Sequence, residues 1–412
     1  MRRLAVAMLA LLLAAPSALA APLALQRGVG LHEWLNWSPL AVDGSYRWPP
    51  YKSTEEWLSQ YRKLGDWPAG NPFAAIHALG FDFVRLTVDP GPLLATEGER
   101  REEALAVLSE AVQQVTAADL RVVFNLHSIT QVPQDSKEVI NAAADTAGVA
   151  DYIAMSADVA RMLAPLGVDK VAFEPFNEPA HYPCDSTGDE DWQTIMARTV
   201  EAVRAVSADL TIVATGACGG DVQGLVDIRP DFDDANILYS FHMYEPHLFT
   251  HQRADNDGDF ASGLPWPASA GSPAATIEAL RVHMELAGLG PDQQQRNLDA
   301  VAPYIERYFA ENWGEAQLAA RIGEAVAWAE SNGIPTERLF MGEFGAILMS
   351  SDGRMGAFDN DRLRYLEAVR TEAEKHGIPW AVWEYSNPYG MSVILPVGPA
   401  VADEKMLRAL GL

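Results

Sequence analysis

Cysteine is nearly missing from this chain, with Cys184 and Cys218 the only two among 412 residues. That scarcity excludes a small disulfide-stapled scaffold and any four-cysteine zinc site. It leaves two alternatives for the pair, a mutual bridge or two buried thiols. Basic residues are scarce too: 30 Lys and Arg stand against 56 Asp and Glu, for a formal net charge of −26. Such a field repels phosphate backbones and anionic headgroups, so nucleic acid is not an expected partner. Past the N-terminus no apolar run reaches the ~20 residues that a membrane-spanning helix needs. A glycine-rich G-x-G-x-x-G turn is also missing after the first strand pattern, which argues against a dinucleotide-binding open sheet. What is abundant is apolar: 49% hydrophobic and 21% charged residues describe a chain able to bury a large core, and wholesale disorder is excluded.

The N-terminus combines Met1-Arg2-Arg3, an apolar stretch from Leu4 to Ala15, and Ala18-Leu19-Ala20 before Ala21. A positive start, a short apolar segment and an Ala-x-Ala site together predict a secretory signal over residues 1–20. Residues 21–412 are then expected to form one domain, secreted or periplasmic, with no membrane attachment after the signal is removed.

Short β-branched or aromatic runs alternate with longer amphipathic ones along the whole chain. Strands are expected near Gly28 to Leu31, Phe81 to Val88, Leu120 to His127, Lys170 to Asn177, Leu210 to Thr215, Ile237 to Tyr244, Leu339 to Glu343 and Pro379 to Tyr385. Between them, Leu105, Leu108, Val112 and Val115 recur at helical spacing, as do Leu318, Ile322, Val326 and Ala329. Asn332-Gly333-Ile334-Pro335 and His376-Gly377-Ile378-Pro379 each end a helix on a glycine and then launch a strand. Eight strand–helix units predict an α/β fold closed into a (β/α)8 TIM barrel. A bare barrel needs about 250 residues, and the surplus falls largely in residues 32–72 and 245–300. Both segments follow strands, so long loops are expected on the C-terminal face, where barrels of this kind build their sites.

Phe173-Glu174-Pro175-Phe176-Asn177-Glu178-Pro179 ends the fourth strand and Phe340-Met341-Gly342-Glu343-Phe344-Gly345 the seventh. Strands four and seven lie across a barrel mouth, so Glu178 and Glu343 can oppose one another over a cleft. Opposed carboxyl groups are what glycoside hydrolysis requires: one protonates the leaving oxygen while the other attacks the anomeric carbon or activates water.

These motifs, joined by Arg85 on strand two, His127 on strand three, His242-Met243-Tyr244 on strand six and Trp383 on strand eight, resemble the retaining glycoside hydrolases of family 5, a cellulase- and endoglucanase-like group. The resemblance implies that Glu178 is the acid/base and Glu343 the nucleophile. It further implies that Asn177 binds the sugar 2-hydroxyl, that Tyr244 and Arg85 hold the nucleophile, and that His127 and His242 line the catalytic subsite with Trp383. The first strand lacks the family's frequent Asn-x-Gly, and Ser128 follows His127 in place of an acidic or glycine residue. Physical chemistry agrees with the roles. Arg85 and Tyr244 are expected to lower the pKa of Glu343, while partial burial and the like charge of Glu343 raise that of Glu178.

Arg85 also has a structural alternative, to neutralise Glu174, which strand alternation puts on one face with Phe176 and Glu178. Glu33, Glu245 and Glu384 are rival carboxylates without the flanking pattern. His242, His247 and His251, beside the acidic run Asp255 to Asp259, invite a metal, but the spacing fails an EF-hand loop and a solvated loop is preferred, with no cofactor expected. Eleven tryptophans are many, and two or three of Trp34, Trp37, Trp48, Trp57, Trp67 and Trp266 are expected to face sugar. The expected activity is endo-hydrolysis of a β-linked polysaccharide or oligosaccharide, β-1,4-glucan first. The alternatives are a β-mannanase or other β-glycosidase, a non-catalytic carbohydrate-binding barrel and a metal-dependent hydrolase.

Overall fold

The computed structural model describes residues 21–62, 71–232, 234–254, 261–350, 353–387, 390–395 and 401–412. The expected signal, Trp67 and the acidic run Asp255 to Asp259 lie outside them. Eight parallel strands close into a barrel in chain order: β1 (Arg27–Leu35), β2 (Phe83–Val88), β3 (Arg121–Leu126), β4 (Val171–Glu174), β5 (Thr211–Thr215), β6 (Ile237–Met243), β7 (Leu339–Phe344) and β8 (Trp380–Val382). The (β/α)8 barrel expected from the alternating pattern is therefore the fold.

Strand alternation divides the core in two. Outward residues such as Val84, Leu86, Val122 and Phe124 pack under the helices, which contribute Leu108, Val112 and Val115 from Gly98–Thr116 and Ile322 and Ala329 from Glu315–Ser331. Inward residues Phe83, Val123, Ala172, Val213, Leu238, Phe340 and Ala381 form a separate apolar layer, which Leu23 and Leu25 join from the segment leading into β1. The predicted helix stops are closed by matching bonds. Ile334 N–H donates to Ala329 O at 2.8 Å and Ile378 N–H to Ala373 O at 3.0 Å, with Gly333 and Gly377 at φ of +66° and +69° in the left-handed position.

Three local departures from the expected pattern shape the barrel mouth. First, β4 ends at Glu174. Phe176 turns outward instead of sharing a face with Glu174, stacking on Tyr152 at 5.2 Å and meeting Trp192 edge-on at 4.8 Å. Asn177 and Glu178 are left at the mouth, and Glu178 has a φ of +43°, rare for a residue with a side chain. Second, β7 carries an extra residue: Phe241 pairs with Met341 but His242 pairs with Glu343, so Gly342 is unmatched. Simple alternation from inward-facing Phe340 would turn Glu343 outward; the inserted Gly342 resets the phase and turns it in. Third, the connection from β6 to β7 is mostly helical. Pro273–Leu286 and Pro291–Ala310, each started by a proline at the first helical position, pack on one another through Leu280, Met284, Leu298 and Ile305.

Candidate active site

Arg85 rises from β2 into the barrel with no exposed surface and uses three nitrogens on three partners. Its Nε donates to Glu174 Oε2 at 2.6 Å, its Nη1 to Glu343 Oε1 at 2.6 Å and its Nη2 to Asn177 Oδ1 at 2.8 Å. The two alternatives for Arg85 are thus both realised in one side chain: it neutralises the interior Glu174 and it holds Glu343. The second Glu343 oxygen accepts from the Tyr244 hydroxyl at 2.9 Å. Across the mouth, Glu178 Oε1 meets His242 Nδ1 at 2.7 Å. One carboxylate oxygen of Glu178, one of Glu343 and a His242 ring nitrogen all lie within 4.8 Å of one another. His127 Nε2 touches the Asn177 amide at 3.3 Å, and its ring stacks on Trp383 at 5.7 Å. His127 and Trp383 stand one residue past β3 and β8, each still tied to the ladder by its N–H, to Val88 O and Phe344 O. All eight predicted site residues are therefore brought together at the C-terminal mouth.

Six of them, all but Arg85 and Asn177, line a cavity of about 500 Å³ that continues, through shared His251, Trp383 and Met391, into a second of about 530 Å³ lined by Trp37, His32, Glu33 and Glu384. A separate cavity of about 430 Å³, with Leu286, Met355 and Phe358 on its walls, holds none of these carboxylates.

The sequence model for cellulase, glycosyl hydrolase family 5, matches residues 43–388, which span the barrel from the loop after β1 to the loop after β8. The chain belongs to glycosyl hydrolase family 5. It is 25% identical over 347 residues to Endoglucanase C of Acetivibrio thermocellus, covering 80% of this chain and 89% of that one. It is 29% identical over 253 residues to Endoglucanase 3 of Fibrobacter succinogenes, covering 58% of this chain but 34% of that protein. Among solved structures, Thermotoga maritima Cel5A in complex with cellobiose superposes with a TM-score of 0.63 at 19% identity, covering 94% of this chain and 97% of that one. The same enzyme has also been solved with mannotriose. As a family 5 member the protein is a glycoside hydrolase.

The electrostatics of the two carboxyls in this family 5 site differ in kind. Glu178 lines the cleft, with 39% of its side chain open to it. Loss of water on its other sides pushes its pKa up to about 7, against a downward pull from Arg85. Glu343, with 6% of its side chain exposed, is raised as well, burial outweighing the opposing pull of Arg85 and Tyr244. The sequence-based expectation was a lowered value; the charges act in that direction, and desolvation is larger. The pair is coupled, and its first proton belongs on Glu178, because the guanidinium contacts Glu343. Burial keeps His32, His127 and His242 below the usual imidazole range, so they serve as neutral hydrogen-bonding groups.

Other expectations resolve around this centre. Cys184 and Cys218 form a disulfide at the cleft rim. His247 and His251 stack face to face at 3.8 Å instead of converging with His242. Both Glu343 oxygens are engaged, by Arg85 and by Tyr244, so a metal joining Glu178, His242 and Glu343 would have to displace them. Among the rival carboxylates, Glu245 pairs with Arg321 at 2.8 Å, while Glu33 and Glu384 line the second cavity. The tryptophan expectation needs correction. Trp34, Trp57 and Trp266 are buried packing residues, and Trp48 donates to Glu103 under the Arg100 guanidinium. Of the five described candidates only Trp37, 47% exposed, lines the cleft. Its indole N–H donates to His32 Nε2 at 3.1 Å, and that ring leans on Trp383 and His127, an aromatic continuity that sequence reasoning missed. The His32-x4-Trp37 spacing carries no recognisable period, so no sequence signal pointed to it.

Proposed function

We propose that this glycoside hydrolase is an exported, retaining endo-β-1,4-glucanase, with Glu178 as acid/base and Glu343 as nucleophile. The observation that carries the reading is the approach of the two carboxyls to within 4.8 Å. Retaining glycosidases hold theirs about 5–5.5 Å apart, whereas inverting ones leave about 6.5–9.5 Å for a water. In the first step the Glu343 carboxylate bonds to the anomeric carbon while Glu178 gives its proton to the departing glycosidic oxygen. Asn177, steadied by Arg85 and His127, hydrogen-bonds the 2-hydroxyl, and Trp383 floors the sugar ring. Esterification removes the negative charge of Glu343, and with it one reason for the high pKa of Glu178. The resulting Glu178 carboxylate takes a proton from water, which attacks the same carbon, breaks its bond to Glu343 so that the carboxylate is released, and restores the β configuration.

Support for glucan comes from the endoglucanase relatives and from the open, continuous cleft, which suits internal cleavage of a flat chain. Cel5A bound to mannotriose keeps mannan as the second reading. Export and a single catalytic domain over residues 21–412 rest on the N-terminal pattern; among the described residues no helix is long and apolar enough to cross a membrane. The test is hydrolysis of carboxymethylcellulose, barley β-glucan and galactomannan, with viscosity, reducing ends and product anomer followed together. A fast viscosity drop on the glucans with β-anomer first is expected. An α-anomer refutes retention, and faster galactomannan hydrolysis refutes the glucan preference.

A further inference from the structure

Neither carboxylate nor its partners account for the Cys184–Cys218 bridge at the cleft rim. Its ends lie in the connections leaving β4 and β5, with Cα atoms 4.8 Å apart. The β5 end is a left-handed coil: Cys218, Gly219 and Gly220 have φ of +56°, +66° and +73° in succession, a path open to two of them because they are glycine. That coil delivers two contacts to the β4 connection. Gly219 N–H donates to Pro179 O at 3.0 Å, one residue past Glu178. Gly220 faces Glu178: a Cβ there would make van der Waals contact, 3.4 Å from Glu178 Cγ and 3.6 Å from His242 Nδ1, and its φ of +73° would strain any side chain added. Glu178 itself, at φ +43°, holds a backbone conformation that neighbouring contacts must maintain. Glu343, by contrast, is fixed by Arg85 and Tyr244 from β2 and β6, which the bridge does not join.

We propose that the Cys184–Cys218 disulfide is a positioning element for the Glu178 carboxyl, fastening the β4 connection to the Gly219–Gly220 coil so that the proton donor stays over the glycosidic oxygen. The bridge thereby governs proton transfer to the leaving group and leaves the attack by Glu343 untouched. This rests on the assignment of Glu178 as the acid, and the experiment separates the two ideas.

Cys184 is exposed, so a water-soluble phosphine reaches the bridge in the folded enzyme. The phosphine takes the oxygen of one water to become its oxide, and that water's two protons end on the two thiols. Oxidised enzyme, reduced enzyme, Cys184→Ser/Cys218→Ser and Gly220→Ala with the bridge intact are compared by kcat/KM on a cello-oligosaccharide and on 2,4-dinitrophenyl β-cellobioside. The second substrate has a leaving group that departs without protonation, and kcat/KM reports the glycosylation step alone. Reduction and both substitutions are expected to cost about 10- to 100-fold on the oligosaccharide, the scale of a displacement of about 1 Å in a reacting group, and less than about twofold on the dinitrophenyl glycoside. Equal loss on both substrates makes the bridge merely structural and overturns the proposal, as does no loss on either. Glu178→Gln run in parallel must show the same split. If it does and the reduced enzyme does not, the positioning role falls alone; if it does not, the acid assignment falls first and the proposal with it.

Discussion

On β2, Phe83 and Arg85 point into the barrel two residues apart; on β4, Ala172 and Glu174 do the same, and on β7 Phe340 is followed one turn of the pleat higher by Glu343. The lower members meet only apolar neighbours, with Phe83 and Phe340 ring centroids 5.9 Å apart. The upper members are all but fully buried as well, yet they carry charge. Backbone, topology and burial are shared, so the difference lies in what leaving water does to each layer. Burial of the lower layer is favourable at roughly 25 cal/mol per Å² of apolar surface. Burial of the upper one removes ions from water at a cost of several kcal/mol each, offset through the three bonds of Arg85. The floor stabilises the protein, and the layer above it is held in a costly arrangement suited to chemistry.

The largest effect that separates the layers is on turnover. Glu343→Gln is expected to reduce kcat by at least ~10⁴-fold on every substrate, as loss of a nucleophile does elsewhere. The same substitution should raise the melting temperature, because burial makes the ionised Glu343 costly in the folded state. A lower melting temperature would mean that the Arg85 contact outweighs desolvation. Next, Phe340→Ala should show the reverse pattern. It opens a cavity in the apolar floor and should lower unfolding free energy by about 3–5 kcal/mol, read from denaturant titration, with kcat/KM within about threefold below the melting transition. A turnover loss like that of Glu343→Gln would show that the two layers are mechanically one.

The smallest effect is the pH response of Glu178. In the proposed reaction its protonated form is the proton donor, and burial pushes its pKa up to about 7, so kcat/KM on glucan should fall about tenfold per pH unit above that value. The dinitrophenyl substrate should lack this limb. Linkage has the same sign: the folded pKa lies above the unfolded one, so the folded state binds more protons between them and stability declines as pH rises through that window. Thermal melts from pH 4.5 to 8 should show a decline that Glu178→Gln diminishes. An unchanged slope would place the responsible proton elsewhere.

Much of this was legible in the sequence because barrel strands announce themselves by composition and end on their functional residues. The Asn177-Glu178 and Glu343 motifs, with Arg85, His127, His242, Tyr244 and Trp383, needed only strand order to be assembled. Less legible were features that depend on local phase. The outward turn of Phe176 follows from the ring surfaces of Tyr152 and Trp192, which belong to the helices before and after β4. Trp34 and Trp57, two of the six candidates for a sugar-facing role, stack on each other 5.6 Å apart, an arrangement that composition cannot distinguish from an exposed one. The direction of the Glu343 shift required comparing burial with charge, and only coordinates supply the burial.

The unmatched Gly342 has a consequence for how this architecture can vary. In a strand of period two, which side a residue takes is a parity, and a bulged residue adds one to the count without turning the residues after it to the other face. Glu343 faces its substrate through an odd count from Phe340, so the reactive group is encoded jointly by an acidic codon and by the glycine before it. Deleting Gly342 would restore regular alternation with the glutamate still inward, whereas filling the position would crowd the site, because a Cβ there would lie 2.8 Å from Ser240 Oγ and 3.1 Å from His242 Nε2. Transplanting the seventh strand between barrels therefore means moving the glutamate together with a bulge position kept free of a side chain.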